Sequence, residues 1–434
     1  MPAPALTSTP SIPFYGHTVV RAAFVLALFG WGIGFYGPPV FMHAVVLRTG
    51  WSLPLVSAAV TFHFLFGAGV VALLPRIHQR WGVPTATVAG AMLLAVGVLG
   101  WAVAVQPWQL FIAAMLTGGG WVPLGAAGIN AMVSPWFAQQ RPMALAKAYN
   151  GASVGGIVFS PLWAVLIERF GFVAAALGVG LVLVAVAGGI ARRTLVRTPA
   201  SVGQCADGLA MLPPAANPSG HRVSLHSGLW RDRRFVTLSV AMSLGLFAQI
   251  GLITQLFGLL VPSLGASVAG AMMALATGCG MGGRLIMARL LAGRAANRRH
   301  AAAASYAVQA LGTLVLWAAG PDGVALWVLG MVLFGLGIGN ATSLPPLIAQ
   351  AEFAPRDVPR VVARSVAMAQ ALYAFAPAVL AGLIVRDAAG LPPLGTTTGL
   401  YFFVVLVLQG LAAACVLSVR GTAQQAKEIL TEKF

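Results

Sequence analysis

The chemistry open to this chain begins with one cation. Among 26 lysines and arginines and nine acids, Arg284 is the one charged side chain set deep within a long apolar stretch, at about 266–292. The acids Glu168, Asp207, Asp232, Asp322, Glu352, Asp357, Asp387, Glu428 and Glu432 all fall in connections or tails. Holding a guanidinium inside a bilayer costs about 2.5–3.5 kcal/mol even on insertion scales. A buried charge without a counter-charge is destabilising. The cargo itself is therefore the expected partner, because the planar fork of an arginine matches a carboxylate through two parallel hydrogen bonds. In the alternative, Arg284 reaches back to its helix end and binds carbonyls there. It lies about eight residues from that end, roughly 12 Å at 1.5 Å per residue, which favours cargo.

Uncharged polar groups in the other apolar stretches are candidates to complete such a site. Tyr36, Asn130, Gln255 and Tyr373 fall near mid-depth and would orient a carboxylate or hydroxyl if they face the centre. Each could equally serve as a hydrogen bond between helices. His63, near the middle of its stretch, is a proton-coupling candidate because imidazole titrates near neutral pH. A polar contact between helices is its competing reading, and His43 is a weaker candidate of the same kind. Cys205, Cys279 and Cys415 form no CxxC and no cluster with histidine, so neither a disulfide framework nor a metal site is indicated. No nucleophile elbow or phosphate loop stands out. No catalytic residue, no cofactor and no enzymatic activity is expected.

These residues need elements to hold them, and composition says which. The chain is 59% hydrophobic and 8% charged, against about 25% charged in an average soluble domain. Its apolar stretches are continuous rather than alternating, which argues for membrane helices over a barrel. They fall at about 18–46, 52–74, 83–104, 108–133, 143–167 and 171–191, then about 234–261, 266–292, 301–319, 324–348, 364–385 and 397–419. The expectation is an all-α integral membrane protein of twelve transmembrane helices in two six-helix halves. Residues 1–191 form the first half, 192–233 a basic, Pro/Ala/Gly-rich linker expected to be flexible, and 234–434 the second half with a short tail. Two parallel repeats around a midplane site are the architecture of a large class of secondary transporters. Pro38-Pro39 and Pro345-Pro346 should kink or break their helices.

The net charge of +17 could suggest nucleic acid, but its distribution argues for topology. With the amino-terminus inside, 22 of the 26 cations lie on the inner side, while Arg48, Arg169 and Arg386 lie outside. That bias orients an inner-membrane protein with both termini cytoplasmic and its cations near anionic lipid. No signal-peptide pattern precedes the first long stretch.

The segment from Trp136 to Gly151, continuing to Gly155, resembles a signature of the major facilitator superfamily. The likeness is greatest to its branch of monocarboxylate transporters and oxalate/formate antiporters. Trp136, Phe137, Arg141, Ala144, Ala148, Gly151 and Gly155 match that pattern, while Gln139 and Gln140 stand where the family has further cations. Gly50-Trp51-Ser52, Gly118-Gly119-Gly120 and Gly283-Arg284 are also similar to it, so the resemblance spans both halves. It implies a substrate-carboxylate role for Arg284, whose position matches the helix-eight arginine of the family. Leu74-Pro75 before Arg76, and Ala292 in the second half, depart from the family's acidic residue and put its usual charge latch in doubt. Ser160-Pro161 is all that is similar to the glycine–proline motif of drug/proton antiporters. Some monocarboxylate carriers have an aspartate at the position of Gly280 and a lysine in helix one, which has none here. The oxalate carriers use a second cation in helix eleven, where Gln370 and Tyr373 are uncharged. One buried cation balances one negative charge, which favours a monocarboxylate.

The expected function is secondary active transport of a small organic anion by alternating access, with proton coupling left open and a monomer expected. An exporter of neutral or drug-like compounds is the alternative within transport. A non-transporting membrane sensor is the alternative outside it.

Overall fold

The structure is a computed structural model that describes residues 13–138, 140–208, 229–291, 297–319, 323–354, 357–387 and 399–419; the side chains of Pro142, Pro359 and residues 385–387 lie outside the description. The described residues are helical, with no strand among them. The first crossing is α1 (Gly16–Gly34) with α2 (Gly37–Thr49). The second and third are one continuous assignment, α3 (Leu53–Val103), of 51 residues. At 1.5 Å per residue it would reach about 77 Å, more than twice a bilayer core of about 30 Å. Gly82, with φ 77° and ψ 159°, breaks it into two crossings, because only glycine takes that backbone readily.

The fourth crossing joins α4 (Pro107–Trp121) and α5 (Ala126–Val133), followed by α6 (Arg141–Phe170) and α7 (Phe172–Ile190). After the linker come α8 (Arg233–Leu264), α9 (Ala266–Leu291), α10 (Arg298–Ala318), then α11 (Val324–Ile338) with α12 (Asn340–Glu352). The eleventh crossing is α13 (Val358–Tyr373) with α14 (Ala376–Asp387), and the twelfth is α15 (Gly399–Leu417). Eleven stretches are long and apolar enough to span a membrane, and the break at Gly82 makes them twelve crossings. Large apolar side chains stand exposed around the outside, among them Val96, Leu181 and Phe403, as a lipid-facing surface requires.

Besides the fourth crossing, which breaks at Gly125, three crossings are broken near mid-depth, and the breaks have different causes. Pro38 and Pro39 open α2, where a missing backbone N–H costs nothing. In the tenth crossing the break falls at Gly339, not at Pro345-Pro346, which lie inside α12. A Cβ on Gly339 would collide with the Gly280 carbonyl of α9, so two backbones cross there at close range. The third break, at Ala374 and Phe375, precedes Pro377 and leaves the first-turn amide of Ala378 free to donate to Thr61 Oγ1 at 3.3 Å.

The two bundles meet mainly at one end and at mid-depth. At the end away from the linker, Ser267 Oγ donates to Glu168 at 2.6 Å, and Gln255 Nε2 donates to Ser57 Oγ at 3.2 Å. His43 and Phe257 meet edge-on there, with ring centroids 5.5 Å apart. The linker end, rich in arginine, is called the basic end below.

One expectation about charge is corrected at the basic end. Glu352 was expected in an open connection, but it is the last residue of α12 and its side chain is 7% exposed. It pairs with Arg299, 1% exposed, through Nε–Oε1 at 2.6 Å and Nη2–Oε2 at 2.8 Å. Arg299 also donates to Thr237 Oγ1 and to the carbonyls of Arg234 and Val416, tying α8, α10, α12 and α15 together. The linker, expected to be flexible, begins as a packed segment. Asp207 accepts the backbone N–H of Ala138 at 3.2 Å and of Gln140 at 3.3 Å, just before α6. Gln204 accepts the Tyr15 N–H at 2.9 Å, and the Arg197 guanidinium lies 5.0 Å from the Tyr15 ring centroid. The rest of the linker lies outside the described residues. At the start of α8, Asp232 caps the helix, and the Arg234 hydrogen bond holds its carboxyl below the ordinary carboxylate range.

Candidate functional site

Arg284 reaches the junction of the two bundles. It sits seven residues before the end of α9 at Leu291, about 10 Å deep along the helix. It belongs to neither described ion pair, Asp232–Arg234 or Arg299–Glu352. Nη2 donates to Ser153 Oγ of α6 at 3.2 Å, a contact between the halves. Nε is buried without a partner. It lies against the break in the tenth crossing, where a Cβ on Gly339 would fall 2.8 Å from it. Glycine at 339 is what leaves room for the guanidinium head.

Tyr36 lies near this cation. Its hydroxyl, from the break between α1 and α2, lies beside the Thr277 hydroxyl and within the field of Arg284. Gly156 makes that approach feasible, since a Cβ there would come within 2.6 Å of the Tyr36 ring and 2.7 Å of Thr277 Cγ2. The result is a guanidinium bonded to the Ser153 hydroxyl with Tyr36 nearby, while Thr277, beside Tyr36, donates its own hydroxyl to the Met273 carbonyl at 2.9 Å. Tyr36 and Ser153 come from the first half, Thr277 and Arg284 from the second. Such a set can bind one carboxylate and hydrogen-bond a second polar atom next to it.

The other expected site residues have neighbours other than Arg284. Asn130 is engaged by the motif arginine: its Oδ1 accepts from Arg141 Nη2 at 3.2 Å. Gln255, 2% exposed, spends its Nε2 on Ser57 Oγ and on the Pro377 carbonyl at 3.1 Å. Tyr373 is half-buried and meets Phe64 edge-on at 6.1 Å. Neither amide is directed at Arg284.

His63 is fully buried, with Nδ1 2.9 Å from Thr117 Oγ1. The Thr117 hydroxyl also lies 3.0 Å from the Ala114 carbonyl, to which it can donate. Nε2 is left without a partner, and the ring stacks on Trp121 at 5.9 Å and 17°. Trp121 packs on Gly34 at the end of α1, two residues before Tyr36.

The motif residues do structural work around the site. Trp136 and Phe137 are buried against Phe14, with centroids at 6.3 and 5.3 Å. Gly151 and Gly155 let α6 press onto the Phe24 and Leu28 carbonyls of α1, where a Cβ would collide. Gln139 lies outside the described residues.

Sequence reasoning passed over Ser153, Thr277 and Gly339. Thr277 carried a signal, because it precedes Arg284 by seven residues, two turns on the same helix face. Ser153 and Gly339 carried none, since nothing local says which helices cross at Arg284.

A family model described as Major Facilitator Superfamily matches residues 20–379. No curated protein matches the chain. Among solved structures it is similar to the nucleoside transporter NupG, with a TM-score of 0.69 and 14% identity over 92% of this chain and 98% of that one. It is also similar to a bacterial homologue of the human lysosomal transporter Spinster in an inward-facing and occupied conformation, with a TM-score of 0.61 and 14% identity over 94% of this chain and 95% of that one.

Proposed function

The chain belongs to the Major Facilitator Superfamily, and we propose that it carries a small organic monocarboxylate across its membrane as a secondary transporter working by alternating access. One observation carries this reading: Arg284 stands between the halves with no carboxylate partner among the described residues, bonded to the Ser153 hydroxyl and close to Tyr36. A cation so placed costs free energy unless an anion joins it. It repels cationic cargo and gives neutral cargo no reason to prefer this site.

In this reading the halves are closed at the end held by Gln255, Ser57, Glu168 and Ser267. With the basic end on the cytoplasmic side of an inner membrane, the state is inward-facing. The cargo carboxylate takes the free donors of Arg284, while Tyr36 and Thr277 hold a polar atom beside it. His63, whose Nε2 is unpartnered, is the site proposed for a coupled proton.

The test is uptake into proteoliposomes of labelled acetate, pyruvate and benzoate, with uridine as the neutral comparator and with or without a proton gradient. The proposal expects saturable uptake of at least one anion and none of uridine. Uptake of uridine alone would refute it.

A further inference from the structure

Arg284 is held by a residue of the opposite half, and that makes its readiness for an anion depend on how the halves meet. Ser153 is 4% exposed and lies on α6, which packs along α9. The same pair of helices is pinned further out, where Ser267 bonds Glu168 and where a Cβ on Gly270 would meet Pro161. Opening that end moves α9 relative to α6, so the 3.2 Å contact between Arg284 Nη2 and Ser153 Oγ cannot keep its geometry in both states. An arginine side chain carries many rotamers, and fixing its head beforehand removes an ordering cost from anion binding.

We infer that Ser153 is a positioning residue that presents the Arg284 guanidinium to the cargo in the state seen here and not in the opposite one. The inference rests on Arg284 being the anion site. Its consequence is sidedness. The serine hydroxyl accepts from Nη2 while the remaining donors of the guanidinium meet the carboxylate, so affinity is higher at the basic face than at the opposite face. A ligand biases a two-state equilibrium only through such a difference in affinity, and Ser153 supplies one from a single hydroxyl. Gly339 supports the same geometry from the other side by leaving space for Nε.

The experiment measures exchange of labelled acetate and of benzoate in everted and right-side-out membrane vesicles carrying the full chain. Ser153→Ala is expected to raise KM at the basic face about fivefold, the scale of one ordinary hydrogen bond lost. The opposite-face KM should rise less than the basic-face KM. Ser153→Thr, which restores the hydroxyl, should bring the basic-face KM back. If Ser153→Ala does not reach the membrane, Ser153→Cys, with its weaker acceptor, carries the same prediction. An unchanged KM at both faces, or an equal rise at both, overturns the role given to Ser153. Arg284→Ala keeps the two claims apart. If it abolishes exchange while Ser153→Ala behaves as wild type, only the present inference fails; if it leaves exchange intact, the anion site itself is wrong.

Discussion

At the scale of single residues, the account turns on polar atoms and their donors. Arg284 was legible because it is a charge inside an apolar run, and no other arrangement of neighbours is needed to see that. Its surroundings were not legible, because Ser153 is 131 positions away in sequence and meets it only through helix packing. Asn130 and Gln255 mark the opposite limit. A mid-depth amide looks alike whether it serves cargo or another helix, and here Arg141 and Ser57 engage them. His63 keeps one open atom, and its proposed proton role makes a prediction at this scale. His63→Gln should abolish stimulation of anion uptake by an inward proton gradient while leaving anion exchange without a gradient near wild type. Undiminished stimulation would remove His63 from the pathway and leave it as a contact for Thr117.

At the scale of elements, the crossings followed from continuous apolar runs, whereas their breaks did not follow from proline alone. Pro38-Pro39 lie at a break, as expected, in the first turn of α2, but the break in the tenth crossing sits at Gly339, where the α9 backbone crosses. The charge latch also moved. The residues Leu74-Pro75 and Ala292 lack the acid of the resembling family. Instead, Glu352 closes the end of α12 onto Arg299 inside the second bundle. Glu352 read as a connection residue because it follows the last apolar positions, and its partner lies two helices back. Removing one member of a buried pair leaves a stranded charge, which costs about 3–5 kcal/mol. Glu352→Gln should therefore lower the thermal unfolding temperature of the purified protein markedly, without changing the KM of the protein that remains folded. A melting temperature equal to wild type would show that the pair adds nothing net.

At the scale of the whole molecule, two six-helix bundles touch at one end and at mid-depth, and the touching residues set the balance of states. Gln255 and Ser57 form one of the bonds between the halves. Hydrogen bonds between membrane helices average about 0.6 kcal/mol, so Gln255→Leu should shift the equilibrium about threefold toward opening at that end. Labelling of a cysteine placed at Leu53, about one turn before Ser57, by a membrane-impermeant thiol reagent would report it, with faster labelling expected beside Gln255→Leu. Unaltered labelling would mean that other contacts govern the seam. The central claim is that this bundle carries an anion on Arg284, and uptake of labelled monocarboxylates by wild type and Arg284 variants in proteoliposomes tests it most directly. The account predicts saturable uptake by wild type, loss in Arg284→Ala, and at least a tenfold lower kcat/KM in Arg284→Lys, which keeps the charge but not the fork. Monocarboxylate uptake that survives Arg284→Ala would contradict it.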